Sequence, residues 1–165
     1  LFSNKNKKEF EELFDKKIFS EDPTIYIYIS SKFEKNDAPS GKENLFVMIN
    51  APNGSYESGI NDYELTKNTI LAKIARLTGY DIKDKIECES VMTPHDIEEQ
   101  TGSHRGSIYG ISSNNRKAAF LRQRNKSGQY HGLYFAGGSA HPGGGIPLVI
   151  LSGNLCADSI AKSLL

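Results

Sequence analysis

Residues 132–158 read GLYFAGGSAHPGGGIPLVILSGNLCAD and carry the strongest structural signal of the chain. The first five residues form a short apolar run that predicts a strand. The next nine, residues 137–145, include five glycines; we call this segment the glycine loop. Residues 146–165 predict a closing helix with Pro147 in its first turn, where a missing N–H costs nothing. The predicted order is strand, glycine loop and helix.

This arrangement suits an anion or an electron-rich ring. Gly137 and Gly138 would let the backbone approach a bulky cofactor without Cβ clashes. The helix beginning near Ile146 would present unpaired N–H groups and the positive end of its dipole. The glycine loop is neither a GxGxxG fingerprint nor a Walker loop, however. Spacing alone therefore leaves two readings open, a cofactor loop and a plain surface loop.

The residues before this stretch predict an α+β arrangement. A short amphipathic helix is expected over residues 5–17, with Phe10, Leu13 and Phe14 at helical spacing. Residues 24–30 predict a strand, with its isoleucines on one face and Tyr26 and Tyr28 on the other. A loop over residues 31–43 leads to a second strand, residues 45–50, which ends at a turn over residues 51–54. We expect the drier isoleucine face to pack against the next helix.

That next helix is predicted over residues 62–78. Asn61 and Glu64 give a capping-box pattern, and Gly79 supplies the C-terminal stop. Its expected buried stripe is Leu65, Ile70, Ile74 and Leu77. Alternation over residues 86–92 predicts an edge strand. Helix, strand, strand, helix, strand is the order of an α+β layer, a mixed sheet with flanking helices.

Composition divides the chain and excludes several classes. The 165 residues carry 20 basic and 20 acidic side chains. Residues 1–100 hold thirteen basic and nineteen acidic residues, whereas residues 101–165 hold seven and one. No apolar run approaches the roughly 20 residues of a bilayer span. The spacing of Cys88 and Cys156 suggests neither a zinc site nor a disulfide framework, and we expect no metal. We expect both cysteines to be reduced and structural, in a cytoplasmic protein.

Residues 132–158 strongly resemble the C-terminal flavin signature of the bacterial phytoene-desaturase family, whose usual form is close to GLYxVGAGTHPGGGIPxVxxSGxxxA. These are FAD-dependent carotenoid desaturases and oxidases. EDPTIYIYISSK, APSGKENLFVMINAP and the TPxD of Thr93, Pro94 and Asp96 are similar to the same family, in the same order. Ser139 replaces a glycine and Ala140 a threonine, a variant of the C30 diapophytoene or dehydrosqualene branch and its oxidase relatives.

The resemblance implies that the chain is the C-terminal third of such an enzyme, because the family's N-terminal GxGxxG unit has no counterpart here. Residues 1–100 would belong to the substrate-binding α+β domain. Residues 101–165 would be the return segment and the last strand, glycine loop and helix of the FAD-binding domain. Isolated, the fragment is expected to be inactive and to bind FAD weakly or not at all. The positions that match the family's FAD-contacting residues are Gly137, Gly138, Ser139, His141, Pro142, Gly143, Gly144, Gly145, Ile146 and Pro147.

The implied reaction is the desaturation of a linear isoprenoid polyene such as phytoene or diapophytoene, with a hydride passing to the flavin and a proton leaving the neighbouring carbon. End-group oxidation by the same family is an alternative, and so is a stand-alone phosphate- or nucleotide-binding module without redox chemistry. Tyr26 and Tyr28 are candidate substrate contacts, and His104 and Arg105 are candidates at the substrate mouth. His141 is either an acid or base near the flavin or a histidine that fixes the turn.

A basic run follows residue 115. Its members are Arg116, Lys117, Arg122, Arg124 and Lys126, with Phe120 and Tyr130 nearby. Nucleic acid would suit such a pattern. The pI near 7.1 and the absence of an RNP or helix-turn-helix motif speak against it. A docking surface for FAD phosphates or anionic lipid is the more economical reading, since each basic residue near a membrane contributes about 1 kcal/mol. A carotenoid enzyme takes its substrate from a bilayer, so peripheral membrane association is expected.

Overall fold

The computed structural model describes residues 1–53, 60–112 and 121–164, with the side chains of the helix that begins at Ile60 described from Tyr63 onward. The chain divides into two compact units, Leu1–Pro94 and His95–Leu165, and each is treated by itself. Some predicted features lie outside the described residues. They are Gly54 of the turn signal, the Asn61 side chain of the capping box, and Arg116, Lys117 and Phe120 of the basic run.

The first unit begins with helix α1, Asn6–Phe10, which continues as a π-helical segment, Glu11–Lys16. The helix predicted over residues 5–17 is thereby confirmed. Its expected apolar stripe is only partly right: Leu13 is buried, but Phe10 is 57% exposed. Glu9 lies inside instead, since its carboxylate accepts hydrogen bonds of 2.8 Å from both the backbone N–H and the hydroxyl of Thr24. A buried carboxylate with two donors is well satisfied.

Strands β1, Ile25–Ile29, and β2, Leu45–Ile49, form an antiparallel sheet, as the alternation predicts. The register pairs Ile25 with Ile49 and Ile29 with Leu45. Ile25 is 1% exposed, whereas Tyr26 and Tyr28 are largely exposed. The isoleucine face is therefore the drier one, as expected. The described sheet has two antiparallel strands, so the class is α+β but the described sheet is not mixed.

Helix α2, Ile60–Thr78, confirms the predicted helix, and Gly79 ends it with a φ of 76° and an N–H donated to Ala75 O at 2.9 Å. The predicted stripe is partly wrong. Ile74 is buried, but Leu65 and Leu77 are exposed, and Leu71 is buried in their place. The buried face of α2 also contains a lysine.

That lysine is Lys73, 4% exposed, whose ammonium donates to Asp22 Oδ1 at 2.6 Å and to Pro23 O at 2.8 Å. Asp22 Oδ2 also accepts from Asn4 N–H at 2.7 Å and from Ser3 Oγ at 3.3 Å. The Lys73 ammonium, with the Asn4 N–H, holds the pKa of Asp22 below its usual value. One carboxylate thus ties α2 to the N-terminal segment.

The edge strand predicted over residues 86–92 is wrong. A short 3₁₀ turn, Lys83–Lys85, is followed by exposed chain without regular structure. Glu87 and Glu89 pair with Lys42 and Lys67 instead. Among the described residues, β1 pairs with β2, and the alternating residues 86–92 are not part of their sheet.

The second unit contains helix α3, Pro94–Thr101, a 3₁₀ turn, His104–Gly106, and helix α4, Ile146–Leu164. The predicted closing helix is confirmed, but the strand predicted over residues 132–136 is wrong. Among the described residues, an isolated bridge forms there between Lys126 and Tyr134, and a second joins Gln123 to Ala140 a few residues later. Both backbone groups of Phe135 are bonded to Asn125 instead of to a strand. The Phe135 N–H donates to Asn125 O at 2.8 Å, and the Phe135 carbonyl accepts from Asn125 Nδ2 at 3.1 Å.

Helix α4 buries little of its own surface. Ser152 is fully buried at 0% exposure, and Cys156, expected in the core, is half-buried. Large apolar side chains of α4 are exposed in this chain: Ile146, Leu148, Val149, Ile150, Leu151, Leu155, Ile160 and Leu164.

Candidate functional site: the glycine loop

Asn125 ties the first half of the glycine loop to α4, directly at His141 and through Ser152 at Gly137. Its amide Nδ2 donates to His141 O at 3.0 Å and to Ser152 Oγ at 3.1 Å. The same Ser152 hydroxyl accepts from Gly137 N–H at 3.2 Å. The first residue of the loop, its fifth residue and the middle of α4 are therefore joined through one amide and one hydroxyl.

Arg122 supports the loop from another side. Its guanidinium NH1 donates to Tyr109 O at 2.8 Å and to Gly138 O at 3.4 Å. A Cβ on Gly143 would lie only 3.1 Å from Arg122 Nε. This glycine is buried, with a φ of 138° that L side chains rarely adopt. Glycine is therefore favoured at position 143, because a side chain there would crowd Arg122.

Tyr109 covers a second glycine, since its ring lies where a Cβ on Gly144 would be. Ser139 similarly lies against Gly110. Ala140 is buried, and the His141–Pro142 peptide bond is cis. These contacts fix the inner side of the loop.

The outer side of the loop is open. A Cβ on Gly137 or on Gly145 would meet no atom within 4 Å, although both residues have positive φ, 113° and 102°. Val149 N–H donates to Gly145 O at 2.9 Å, which is the first turn of α4. The N–H groups of Ile146 and Leu148 have no acceptor within the helix at this position. Backbone donors and the positive end of the helix dipole therefore lie next to the open Gly145.

This chemistry fits a flavin nucleotide. Open glycines permit close approach by a planar ring or a phosphate, and the unpaired N–H groups suit negative charge. Asp158 is the single acidic residue after residue 100 in the sequence, so little negative charge opposes an anion within residues 101–165. The residues present are compatible with the FAD that the motif implies.

The predicted loop residues are thus brought together in two sets. Gly143 and Gly144 lie against Arg122 and Tyr109, whereas Gly137 and Gly145 are open. His141 is exposed at its side chain, while its backbone N–H donates to Gln123 O at 2.8 Å. Its backbone is held in the turn, and its imidazole is accessible to solvent.

His104 and Arg105 lie in an exposed 3₁₀ turn. Arg105 has a left-handed backbone, φ 53°, and its N–H donates to Glu98 Oε1 at 2.8 Å. Tyr109, a few residues later, contacts the loop itself. His104 and Arg105, which the sequence singles out, are therefore less directly connected to the loop than Tyr109 is.

Tyr26 and Tyr28, in the first unit, belong to an exposed apolar sheet face. The register places Met48 opposite Tyr26 and Phe46 opposite Tyr28. The Tyr26 and Phe46 rings meet edge to face at 6.4 Å, and Tyr28 stacks on Phe33 at 6.0 Å. This face, which we call the aromatic face, consists of Tyr26, Tyr28, Phe33, Phe46 and Met48, all exposed.

Part of the basic run lines an open groove in the second unit. The groove is formed by Ile111, Leu121, Arg122, Gln123, Arg124, Lys126, Ser127 and Gly128. Lys126 also lies 5.9 Å from the centroid of the Tyr134 ring. Arg122, Arg124 and Lys126 therefore lie along one open groove.

One cluster has the composition of a cation site. The ligating atoms of His95, Asp96 and Glu99 lie within 4.8 Å of one another. They occupy α3 from its first turn, where the helix dipole opposes a cation, and His95 and Glu99 are largely exposed. Asp96 is the third residue of α3, so it lies in the first turn and not at the cap position. We assign no metal to this cluster.

Asn125, Ser152 and Tyr109 are the site residues that sequence reasoning misses. Asn125 and Ser152 bond to loop residues 16 and 15 positions away, and Tyr109 lies against Gly144 without adjoining the loop in sequence. The one available signal was the surplus of glycines, because five in nine residues exceeds what a turn needs and implies close neighbours.

Three curated relatives illustrate what the chain is similar to. A 1-hydroxycarotenoid 3,4-desaturase from Flavobacterium sp. (strain P99-3) is 49% identical over 163 residues, which are 99% of this chain and 33% of that protein. A 4,4'-diaponeurosporene oxygenase from Staphylococcus haemolyticus (strain JCSC1435) is 37% identical, covering 97% of this chain and 32% of that protein. A 4,4'-diapophytoene desaturase (4,4'-diaponeurosporene-forming) from Staphylococcus aureus (strain Newman) is 35% identical, covering 99% and 34%.

No family model matches the chain. Among the described residues, the helices are too short or too polar to cross a bilayer. The chain spans about a third of the length of the curated relatives it matches. Within that third, the resemblance carried by residues 132–158 is confirmed, because the chain is similar over nearly its whole length to these carotenoid desaturases and oxygenases.

Proposed function

We propose that this chain is the C-terminal part of an FAD-dependent carotenoid oxidoreductase that desaturates a linear isoprenoid polyene such as phytoene or diapophytoene. The observation that carries the proposal is the open side of the glycine loop at the start of α4, in a chain 49% identical to a carotenoid desaturase over 163 residues. In this proposal residues 1–100 serve the substrate and residues 101–165 serve the cofactor.

FAD, when bound, accepts the hydrogen that the polyene loses. The chain's own contribution is to hold and orient it. Gly137 and Gly145 leave the backbone accessible, and the N–H groups of Ile146 and Leu148 offer donors at the positive end of α4. That helix end stabilises nearby negative charge by about 0.3–2 kcal/mol. The residues proposed to hold FAD are Gly137, Gly138, Ser139, His141, Pro142, Gly143, Gly144, Gly145, Ile146 and Pro147.

The aromatic face is proposed to bind the polyene. Tyr26 and Tyr28 are its centre, and Phe46 and Met48 extend it across the sheet. Exposed apolar side chains in a row bury a hydrocarbon with a gain of about 25 cal/mol for each Å² removed from water. Such a surface recognises length and apolarity, which are the shared properties of linear carotenoid precursors.

Two groups are candidates for polar contacts. The exposed imidazole of His141 lies on the loop and is available to hold or pass a proton at Nδ1 or Nε2. His104 and Arg105 are exposed and would contact an entering substrate or the cofactor. A His141→Gln variant that keeps flavin affinity but loses turnover would favour the proton role; equal loss of both would favour a turn-fixing role.

A bilayer surface is the proposed partner of the second unit. Arg122, Arg124 and Lys126 converge on one groove, and the same unit exposes the apolar residues of α4. Basic side chains attract anionic lipid, and apolar ones insert among the acyl chains. Peripheral association would give access to a substrate that is dissolved in membrane.

A second candidate reaction is oxidation of a carotenoid end group. It is favoured by the relatives named 4,4'-diaponeurosporene oxygenase, which are 36–37% identical to this chain. Desaturation lengthens the conjugated system, whereas end-group oxidation produces an aldehyde or an acid. Product chemistry therefore separates the two.

The test uses the complete gene product that contains this chain, purified and supplied with phytoene or diapophytoene in anionic vesicles. Bound FAD together with a red-shifted polyene supports the proposal. An aldehyde or acid product assigns the oxidase alternative. Protein that holds a phosphate compound or nucleotide but no flavin, and leaves both polyenes unchanged, would assign the stand-alone binding module.

A further inference from the structure

We infer that Asn125 is a positioning residue of the cofactor site, acting through the glycine loop and through Ser152. The inference rests on the proposed function, because it gives the loop a cofactor to serve. Asn125 is not placed in contact with that cofactor. Its role is to fix the backbone that makes the contact.

The first step is that one amide serves several acceptors. Asn125 Nδ2 carries two hydrogens, and the acceptors within reach are Phe135 O at 3.1 Å, His141 O at 3.0 Å and Ser152 Oγ at 3.1 Å. These acceptors belong to the entrance of the loop, the loop itself and α4. No other single side chain among the described residues is seen to join these three segments.

The second step concerns the serine. Ser152 is fully buried in a helix whose large apolar side chains are exposed, so a polar residue occupies the position where burial favours an apolar one. A buried hydroxyl is costly unless it is hydrogen-bonded. Here it accepts from Asn125 Nδ2 and from Gly137 N–H, at 3.1 and 3.2 Å. The hydroxyl is therefore an anchor for the loop backbone.

The third step is geometric. Gly137 and His141 delimit the first half of the loop, and both are tied to the Asn125–Ser152 pair. Gly145, at the other end, is already part of the first turn of α4. Fixing the first half against α4 therefore sets where the open glycines stand relative to the helix N-terminus. Cofactor sites need such placement to within about 0.5 Å.

Because an amide donates hydrogen bonds and a carboxylate does not, substitution can distinguish a positioning role of Asn125 from a purely space-filling one. In Asn125→Asp a carboxylate of the same shape faces the carbonyl oxygens of Phe135 and His141, and it cannot donate unless protonated. If Asn125 only filled space, the isosteric Asp would be milder than Ala. If it positions by donation, Asp is the worse variant at neutral pH, and acidification narrows the difference.

The experiment has two arms. Amide hydrogen exchange at Gly137 and His141 is measured in this chain for Asn125→Ala, Asn125→Asp and Ser152→Ala. Flavin affinity is measured in the complete, flavin-loaded gene product with the same substitutions. The matched control is Asn154→Ala, an exposed asparagine on α4 two residues from Ser152. Ser152→Ala also serves as the second variant if Asn125→Ala does not fold.

We expect faster exchange at Gly137 in Ser152→Ala, faster exchange at both residues in the Asn125 variants, and flavin affinity about tenfold weaker or worse, as for one or two lost hydrogen bonds. Asn154→Ala should leave both unchanged. Unaltered exchange and affinity in the Asn125 variants would overturn the inference, and so would Asp being milder than Ala. If the unsubstituted gene product binds no flavin, the proposed function fails, whereas the exchange arm still decides whether Asn125 fixes the loop.

Discussion

The ring of Tyr109 occupies the space in front of Gly144, and a Cβ on that glycine would stand 2.6 Å from Tyr109 Cδ1. Arg122 lies against Gly143 in the same manner. The glycines of the loop therefore play two physical roles. Gly143 and Gly144 let neighbouring side chains of the same chain pack closely, and Gly137 and Gly145 keep the outer side open.

Gly144→Ala should destabilise the second unit. The added methyl overlaps the Tyr109 ring, so the ring or the loop has to move, at a cost of about 1–3 kcal/mol. The free energy of unfolding measured in urea checks this. The double variant Tyr109→Ala/Gly144→Ala should be less destabilised than the two single effects combined, because the clash is gone.

Gly153→Ala is the matched control for that prediction. Gly153 lies within α4, and a Cβ there would meet no atom within 4 Å. Alanine is the better helix former by about 1 kcal/mol, so stability should rise or stay the same. Equal destabilisation by both substitutions would contradict the role assigned to Tyr109.

Asp22→Asn should cost about 3–5 kcal/mol at neutral pH, because it leaves the buried ammonium of Lys73 without its counter-charge. The pKa of Asp22 is lowered in the folded chain by that ammonium and by Asn4 N–H. A lowered pKa means that the stabilisation is complete above the unfolded value of 3.8 and is lost as the pH falls through the folded value. The difference between wild type and variant should therefore shrink in acid.

Unfolding curves collected from neutral pH to below pH 4 measure this difference. Asp158→Asn, at an exposed aspartate of α4, is the control and should unfold like the wild type at every pH. The account of the Lys73–Asp22 pair is wrong if Asp22→Asn shows the same loss at acidic and neutral pH.

Arg124→Glu/Lys126→Glu should abolish most binding to vesicles of anionic phospholipid. Each cation near the surface contributes about 1 kcal/mol, and reversal replaces attraction with repulsion. Arg122 is left intact because it supports the loop. Vesicle co-sedimentation at low and high salt measures the effect, which should weaken as salt rises.

Lys5→Glu/Lys35→Glu changes the net charge by the same amount at exposed positions of the first unit. Its vesicle binding should stay close to that of the wild type. Equal losses in both double variants would show that total charge, and not the groove, attracts the lipid.

The 165-residue chain alone should bind FAD weakly or not at all. Its glycine loop is open on the outer side, and the chain spans about a third of its relatives' length. Titration followed by flavin fluorescence measures the affinity. A dissociation constant of about 1 μM or tighter, equivalent to about 8 kcal/mol, would show that the loop side suffices.

Local patterns sufficed where a segment's structure depends on its own residues. The helix Ile60–Thr78 follows from apolar spacing, a capping pattern and Gly79, and the helix Ile146–Leu164 from an apolar run with Pro147 in its first turn. The strands Ile25–Ile29 and Leu45–Ile49 follow from alternation and a turn signal. The flavin motif likewise lies in one uninterrupted stretch, which is why the family resemblance can be seen in the sequence.

Long-range partners could not be predicted. Residues 86–92 alternate like a strand, yet Glu87 and Glu89 bind lysines in place of a ladder. Lys73 can lie on the inner face of its helix because Asp22 and Pro23, about 50 residues earlier, accept hydrogen bonds from its ammonium. Asn125 and Ser152 are 27 residues apart, and although Ser152 lies within the motif of residues 132–158, nothing in that motif identifies Asn125 as its partner.

An anaerobic mixing experiment tests the central claim most directly. The complete gene product, loaded with FAD, is mixed without oxygen with diapophytoene or phytoene in anionic vesicles, and the absorbance of flavin and polyene is followed together. The account predicts that oxidised flavin bleaches in step with the appearance of a longer conjugated polyene. Flavin that stays oxidised while both polyenes remain unchanged would contradict it.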